Sequence, residues 1–263
     1  MGRVADYSKE DIVRSLSEVG LSVGDNIFIH SNIGFFGALK DADSREDFYR
    51  IFKEAIFEVI GKDGTLVVPT FSYSFCSKKV FNKGETSGVV GVFSEMVRTD
   101  PESVRSDDAN FSTTALGKNA DYFTRNAHEH SFGADSFWGR FLHLDGKFCN
   151  FNLSCGSLTF IHYIEKLLAV PYRYDKPFPG ISIINGQEKE GLFYHFVYNY
   201  DKPEHAPNLM RLEQKVKETE LAKIANLGKG QIVLVPAKEF LELVRLEVKQ
   251  DISFLTTGGY VKD

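Results

Sequence analysis

Short apolar runs alternate with amphipathic stretches of helical spacing over the first two-thirds of the chain, and this alternation most constrains the fold. The run GTLVVPTF (64–71) is almost continuously apolar, a pattern typical of a strand that is covered on both faces. Strands that alternate with helices form mainly parallel sheets with helices on either side. We therefore predict a three-layer α/β/α sandwich with a mixed, mainly parallel sheet and a smaller antiparallel subdomain.

Capping residues and periodicity predict the other elements of this part of the chain. Ser8 and Ser44 each precede an amphipathic stretch and are predicted N-caps of helices, the first of which runs through Val19. The apolar pattern also predicts strands at 26–31 and 148–153, and helices at 90–99, 116–124 and 158–169.

The sequence pattern changes after Pro171. The stretch ISIINGQEKEGLFYHFVYNY contains Asn185-Gly186, which predicts an antiparallel hairpin. A charged helix from about 208 to 226, a strand at QIVLVPA and a helix at 238–249 are expected to follow. No repeat or long linker interrupts the sequence, so we predict a single domain, 1–263, built of two subdomains that meet near residue 171.

The composition excludes several classes of protein. The 263 residues include 31 Lys and Arg against 36 Asp and Glu. This balance lacks the excess of basic residues that is typical of nucleic-acid-binding proteins. The three cysteines lack metal-type spacing and predict no disulfide framework. The first residues lack the apolar core of a signal peptide, and no apolar stretch reaches the ~18 residues of a membrane helix. We expect a cytoplasmic protein without nucleic-acid partners or membrane insertion, and whether it forms a homo-oligomer stays open.

Polar clusters lie at the ends of three predicted elements. His30-Ser31-Asn32 closes the first strand, Thr70-Phe71 closes GTLVVPTF, and the stretch SLTFIHYIEK (157–166) opens the helix after FCNFNL. In sheets of this type, ligands bind beyond the carboxyl ends of the strands. We therefore expect the three clusters to converge on one cleft.

The pair His162 and Glu165 is the most informative feature of these clusters, because a buried helix needs neither residue. At this spacing the two side chains share one helix face, where the carboxylate would make the imidazole a better proton acceptor. Two other interpretations stay open at this point, namely a structural His-Glu contact and a metal site completed by His143, Asp145 and His195.

An ordered series of motifs favours the catalytic interpretation. The chain contains, in this order, IFIHSNIGFFG, GTLVVPTFSYSF, PESVRSDDANFSTTALGKNA, HEHSFGADSFWGRFLHLDGKFCNFN and SLTFIHYIE. Between about Leu21 and Gly180 the series resembles the aminoglycoside 3-N-acetyltransferase family, the antibiotic N-acetyltransferases that are distinct from GNAT acetyltransferases. The resemblance implies an enzyme that transfers an acetyl group from acetyl-CoA to an amine on a sugar-like ring, without a metal.

The resemblance also implies roles for individual residues. His162 matches the catalytic histidine of the family, with Glu165 one helical turn on. Residues implied to contact CoA are His30, Ser31 and Asn32 at the thioester end, Thr70 and Phe71 at a strand end, and Arg105, Ser106, Phe132, Gly133 and Ser136 around the channel.

The chain departs from the family pattern in two of these segments. Asn32 stands where the family usually has serine, and Asp107-Asp108 stand where it usually has a His-Pro pair. Both changes are expected to alter contacts to the cofactor, and the second to rebuild a wall of the pocket.

The mechanism that the resemblance implies is direct transfer. His162 would act as general base while the amine attacks the thioester carbonyl, a contribution of ~10²–10⁴-fold. Thr159 is expected to cap the helix, and backbone N–H groups around Ser31 and Asn32 are candidate oxyanion donors. The alternative is a covalent route through Cys155, which lies close to the helix start.

Charge and aromatic residues predict the acceptor amine. Lysines follow the Thr70 strand, where they would repel a polycation and attract phosphate. Aromatic rings in PYRYDKPFPG (171–180) could stack on a base or sugar. We therefore expect a nucleotide-linked amino sugar for surface polysaccharide, and the alternatives are an aminoglycoside, as in antibiotic resistance, or an inactive CoA-binding protein. The residues used in this argument are Lys78, Lys79, Lys83, Tyr172, Tyr174 and Phe178.

Overall fold

The computed structural model describes residues 4–259 of the chain. Its strands are β1 (Asn26–Phe28), β2 (Thr65–Pro69), β3 (Phe81–Asn82), β4 (Val104–Arg105), β5 (Thr113–Gly117), β6 (Lys147–Phe151), β7 (Arg173–Ile184), β8 (Gln187–Tyr198), β9 (Lys223–Leu227) and β10 (Gly230–Pro236). Its α-helices are α1 (Lys9–Glu18), α2 (Arg45–Ile60), α3 (Val92–Arg98), α4 (Ala120–Thr124), α5 (Phe137–His143), α6 (Phe160–Leu167), α7 (Met210–Glu218) and α8 (Ala237–Gln250).

The larger of two sheets has seven strands in the order β4-β5-β2-β1-β6-β10-β9. Its centre is parallel, because β1 pairs with both β2 and β6 in that sense. Antiparallel strands flank this centre, with β5 and β4 on one side and β10 and β9 on the other. The smaller sheet consists of β3, β7 and β8, and its main feature is the antiparallel β7-β8 hairpin.

Helices cover both faces of the larger sheet. Along β1 and just beyond it, Ile27 and Ile29 face the core that contains α1, α2 and α3. The intervening Phe28 faces the other core, to which α4, α5, α6 and α8 contribute. This alternation is the two-residue period of a strand covered on both sides. The predicted α/β fold class with a mixed sheet and a smaller second sheet is confirmed. Two of the six strand pairings in the larger sheet are parallel and four are antiparallel, so the expectation of a mainly parallel sheet was wrong.

The helix starts follow the predicted capping residues. The hydroxyl of Ser8 accepts a hydrogen bond from the N–H of Asp11, whose carboxylate accepts one from the N–H of Ser8 in return. Ser44 accepts from the N–H of Asp47 in the same way. Both helices therefore begin where the sequence predicts them, because these bonds satisfy otherwise free donors of the first turn.

Two predicted helices were wrong in part. The stretch 116–124 begins as the end of β5, and Gly117, at φ 115°, separates that strand from the short helix α4. The charged helix predicted over about 208–226 ends at Glu218, and β9 follows it. The hairpin prediction is confirmed, with Asn185 and Gly186 both at positive φ between β7 and β8. Among residues 4–259, no helix combines the length and the apolar character needed to cross a membrane.

Candidate active site

The start of α6 joins two of the predicted polar clusters. The chain leaves β6 through a 3₁₀ turn at Cys155–Ser157 and enters α6 after Thr159. The Thr159 hydroxyl makes no capping hydrogen bond to this helix, so its predicted capping role was wrong. It lies instead 3.3 Å from Nε2 of His30, which connects the end of β1 to the first turn of α6.

His162 lies in the first turn of α6 and is partly exposed. Its side chain is 35% exposed, and the ring of Phe132 packs edge-on against it at a centroid distance of 5.2 Å. Burial and the nearby Arg173 lower the pKa of His162, while Glu165 opposes that change, and the net direction is downward. A neutral imidazole at pH 7 follows, which is the form that accepts a proton.

Glu165 lies on the same helix face as predicted but does not bond His162 directly. The nearer oxygen, Oε2, is 3.8 Å from Nδ1 of the histidine, which is beyond hydrogen-bond distance. Arg173 at the start of β7 occupies the position between them. Its Nη2 lies 2.7 Å from Nδ1 of His162 and 2.6 Å from Oε2 of Glu165.

Arg173 and Glu165 form a buried ion pair with further partners. The side chain of Glu165 is fully buried, and that of Arg173 is 2% exposed. Arg173 also donates to the carbonyl of Phe196 at 2.6 Å and stacks on the ring of Tyr198 at 3.5 Å. Tyr198 in turn donates to Oε1 of Glu165 at 3.3 Å. Buried charges need this kind of compensation, and the sequence analysis missed Arg173 although a buried Glu165 requires a cation.

The His30-Ser31-Asn32 cluster lies beside this site, at the end of β1. Burial lowers the pKa of His30 to about 4, so the side chain is neutral near pH 7. The buried hydroxyl of Ser31 has no hydrogen-bond partner within residues 4–259. The N–H of Asn32 donates to the carbonyl of Phe151 at 2.8 Å. That bond corrects the prediction of this N–H as an oxyanion donor, because it is already engaged.

The end of β2 brings together three of the predicted cofactor residues, Thr70, Phe71 and Arg105. Thr70 is fully buried and bonds Thr114 at 3.1 Å, and Phe71 is buried against aromatic neighbours. The guanidinium of Arg105 donates to the carbonyls of Thr70, Lys83 and Thr86 and to the hydroxyl of Ser112. Its hydrogen bonds are thus made within the protein, and its contribution is to hold the 83–86 loop against the strand ends.

The remaining predicted cofactor residues are largely buried. Ser106 accepts a hydrogen bond from the N–H of Thr113, and Gly133 donates to the carbonyl of His130. A Cβ at Gly133 would lie 3.2 Å from the ring of His128, so a side chain there has little room. The hydroxyl of Ser136 is buried without a protein partner in the described chain.

The two aspartates that replace the usual His-Pro pair have separate roles. Asp107 pairs with Lys83 at 2.7 Å. Asp108 is buried and accepts hydrogen bonds from the N–H groups of Asn110 and Phe111, both at 2.8 Å. Burial nevertheless raises the pKa of Asp108. The pair therefore organises the loop that leads into β5.

The chemistry of the thiols does not favour the covalent alternative. Burial, helped by the charge of Glu213, raises the pKa of Cys155 to about 11. A thiol with that pKa is almost entirely protonated at pH 7, whereas nucleophilic cysteines have lowered pKa values. Among the described residues, no group of three or more His, Cys, Asp or Glu side chains is arranged to hold a metal ion.

An acidic cleft lies along the hairpin, where residues of β7 and β8 face the segment 126–129. Its volume is about 690 Å³, and its lining includes the carboxylates of Asp107, Glu129 and Glu190 against the single ammonium of Lys189. Glu129 belongs to the same segment as Phe132, which packs on His162. The sequence analysis missed this cleft, because its carboxylates come from three separate stretches of the chain.

The basic and aromatic residues used to predict the acceptor are distributed differently. Lys83 is paired with Asp107, whereas Lys78 and Lys79 are exposed. Tyr172 is buried and stacks on Tyr198, so it is not free to stack on a ligand. The other two predicted aromatics are the exposed Tyr174 and Phe178, which packs on His195.

The fold and the site together define an α/β protein with a neutral histidine beyond the strand ends and a buried carboxylate behind it. The family model described as aminoglycoside 3-N-acetyltransferase matches residues 28–247, and the chain therefore belongs to that family. The predictions of the family and of an acetyl-CoA-dependent N-acetyltransferase are confirmed.

Solved structures of similar fold cover nearly the whole chain. A binary complex of AAC-IIIb with CoASH is 19% identical with a TM-score of 0.78, over 92% of this chain and 97% of that one. A sisomicin-bound AAC-VIa is 19% identical with a TM-score of 0.77, over 92% and 98%. The YokD protein from Bacillus subtilis is 18% identical with a TM-score of 0.77, over 95% and 96%. At these identities the similarity shows the fold. No curated protein matched the chain.

Proposed function

We propose that the protein transfers the acetyl group of acetyl-CoA to an amine of an aminoglycoside-type amino sugar, with His162 as general base. The observation that carries this proposal is a neutral, partly exposed imidazole beyond the strand ends in a chain of the N-acetyltransferase family. In the reaction, the amine nitrogen bonds to the acetyl carbon and the carbon–sulfur bond of the thioester breaks. The imidazole takes the amine proton, and the thiolate of CoA leaves.

Acetyl-CoA is supported as the donor by the family and by a structure of the same fold with CoASH bound. On this chain the Ser31 hydroxyl is a candidate contact for the thioester end, since it lies beside the start of α3 without a hydrogen-bond partner in the described residues. His30 lies beside Ser31 at the same strand end. No metal takes part in this scheme.

An aminoglycoside-type acceptor is supported by the charge of the cleft. An aminoglycoside is a polycation, and the cleft attracts positive charge through Glu129 and Glu190 against Lys189, while Asp107 is already paired with Lys83. Structures of similar fold were solved with sisomicin and with a gentamicin bound. A nucleotide-linked sugar has less support, because Lys83 is already neutralised by Asp107 and Tyr172 is buried.

The test of the acceptor is a comparison of turnover on two classes of amine. Purified protein is given acetyl-CoA with a kanamycin-type aminoglycoside or with a nucleotide-linked amino sugar, and release of the CoA thiol is followed. Faster turnover of the aminoglycoside supports the proposal, and faster turnover of the nucleotide-linked sugar overturns its acceptor. Binding of CoA without thiol release in any mixture would favour an inactive CoA-binding protein.

The general-base role is tested by substitution of the histidine. We expect His162→Ala to lower kcat/KM by ~10²–10⁴-fold while the affinity for CoA stays close to that of the wild type. The kcat/KM of Glu165→Gln should lie between that of His162→Ala and that of the wild type. His143→Ala, at the exposed end of α5, is the matched control and should keep full activity. Wild-type turnover in the His162 variant would remove the general-base role.

A further inference from the structure

The contact of Arg173 with His162 fixes which imidazole nitrogen carries the proton. Nη2 of Arg173 lies 2.7 Å from Nδ1 of His162. A guanidinium has only donors and stays protonated, so Nδ1 must accept in this hydrogen bond. A neutral imidazole has one N–H group. In the structure, therefore, the proton of His162 is on Nε2.

This tautomer is not the one that a general base needs. With Nδ1 turned to Arg173, the nitrogen left for a substrate is Nε2, and a protonated Nε2 cannot accept a proton from an amine. The competent form carries its proton on Nδ1 and needs an acceptor there. Oε2 of Glu165 is that acceptor, but it is 3.8 Å away, and Nη2 of Arg173 is 2.6 Å from the same oxygen.

Resting on the proposed general-base function, we propose that Arg173 is a positioning residue that selects the tautomer of His162. While Nη2 bridges His162 and Glu165, the histidine is held with Nε2–H. When Nη2 withdraws, Nδ1–H donates to Glu165 and Nε2 becomes the free base. The exchange leaves the charge unchanged, because Nδ1 takes one proton from water as Nη2 withdraws and Nε2 releases one proton to water.

The surroundings of Arg173 allow this withdrawal without leaving a buried charge unpaired. Its Nη1 donates to the carbonyl of Phe196, and its guanidinium rests on the ring of Tyr198. Both anchors lie on β8, next to the strand that carries Arg173. With these two contacts kept, a rotation that takes Nη2 off His162 would leave the cation beside Glu165.

The groups that face His162 come from three elements. Glu165 lies on α6, Arg173 on β7, and His195 on β8 interacts with His162 electrostatically. Phe132 covers a further part of the ring and carries no charge. Of these groups Arg173 alone touches Nδ1, so its removal should change both the tautomer and the proton affinity of His162.

Nitrogen-15 NMR of histidine-labelled protein tests the proposal directly. The signals of His162 are assigned by comparison with His162→Ala. In the unliganded wild type we expect the Nε2–H tautomer. In Arg173→Gln, where Glu165 is free to accept, we expect the Nδ1–H tautomer and a pKa of His162 raised by about one unit or more. The acid limb of the kcat/KM profile should move to higher pH by the same amount.

A second variant guards against a failure of the first to fold. Arg173→Lys keeps a cation for Glu165, but its nitrogen ends one bond short of Nη2 and is not held in place by a second nitrogen on the Phe196 carbonyl. The contact with Nδ1 should therefore be lost, so the tautomer should still change while the pKa moves less. Near-ultraviolet circular dichroism reports whether each variant is folded. A folded variant that retains Nε2–H and an unshifted acid limb overturns the proposal, as does an Nδ1–H tautomer in the unliganded wild type.

The two proposals fail in different ways. A wild type that acetylates no offered amine contradicts the proposed function, while the NMR measurements still decide the role of Arg173. Conversely, a wild type that turns over with His162 as base, but whose tautomer ignores Arg173, contradicts only the inference drawn here.

Discussion

Burial keeps His162 neutral, and at the scale of single residues this gives a prediction for the pH dependence of the reaction. Burial and Arg173 together lower the pKa of His162 below its ordinary value of 6.5. A base works in its deprotonated form, so a lowered pKa extends activity towards acid. We expect His162 to titrate below pH 6.5 in nitrogen-15 NMR of the unliganded protein, a measurement that does not include ionisation of the acceptor amine. Titration at or above that pH would contradict the assignment.

His30 gives a second prediction, on stability. Its pKa is lowered by burial from 6.5 to about 4, so between these values the unfolded chain binds a proton that the folded chain does not. Stability is therefore lost as the pH falls from 6.5 towards 4, at up to ~1.4 kcal/mol per pH unit. The free energy of unfolding is measured in urea at pH 7 and at pH 5. It should change less between these two pH values for His30→Gln than for the wild type. His143→Gln, at an exposed helix end, is the control and should keep the wild-type difference.

The residues of the candidate site differ in how far the sequence could predict them. His162 and Glu165 are three positions apart on one helix, so their common face follows from helical geometry alone. Arg173 reaches the same place from the start of β7, and only the packing of the hairpin on α6 brings it there. Local spacing therefore predicts the pair, whereas the hydrogen bond that decides the tautomer depends on tertiary structure.

At the scale of elements, Arg105 should stabilise the loop 83–86 against the end of β2. Its guanidinium donates to three carbonyls and one hydroxyl and is largely buried. Arg105→Met would leave these acceptors without their donor, and we expect a loss of about 3 kcal/mol in the free energy of unfolding. Chemical denaturation measures this loss. Arg245→Met removes an exposed pair with Glu242 and should leave stability close to that of the wild type, because exposed ion pairs contribute little. A similar effect of the two changes would contradict the role of Arg105.

The predicted elements succeed where capping and periodicity agree and fail where a turn interrupts a compatible pattern. Ser8 and Ser44 cap their helices as the sequence predicts. Near residue 117 the composition suits a helix, but Gly117 at φ 115° ends a strand there instead. In β9, buried Ala225 and Leu227 alternate with exposed neighbours. A two-residue period predicts a strand, so this pattern could have corrected the predicted helix that ran to about residue 226.

At the scale of the whole molecule, the distribution of charge matters more for the acceptor than the local basic run does. Asp107, Glu129 and Glu190 are far apart in sequence, and the fold brings them to one cleft. The lysines that suggested a phosphate group lie within a short stretch, 78–83, yet Lys83 is neutralised by an aspartate from another segment. Charge patterning within a short window could not predict this arrangement, because the sheet and hairpin topology creates it.

The acidic cleft gives the last prediction. If it receives a polycationic acceptor, the double substitution Glu129→Gln and Glu190→Gln should raise KM for a kanamycin-type aminoglycoside. Each exposed carboxylate contributes under ~1 kcal/mol, so we expect an increase of roughly 3- to 20-fold that shrinks at high salt. KM for acetyl-CoA should not change, and Glu18→Gln on α1 serves as the control for removal of a surface charge. An unchanged KM for the aminoglycoside at low salt would exclude this cleft as the acceptor site. A lower KM for a nucleotide-linked sugar in the same variant would show that the carboxylates repel an anionic acceptor.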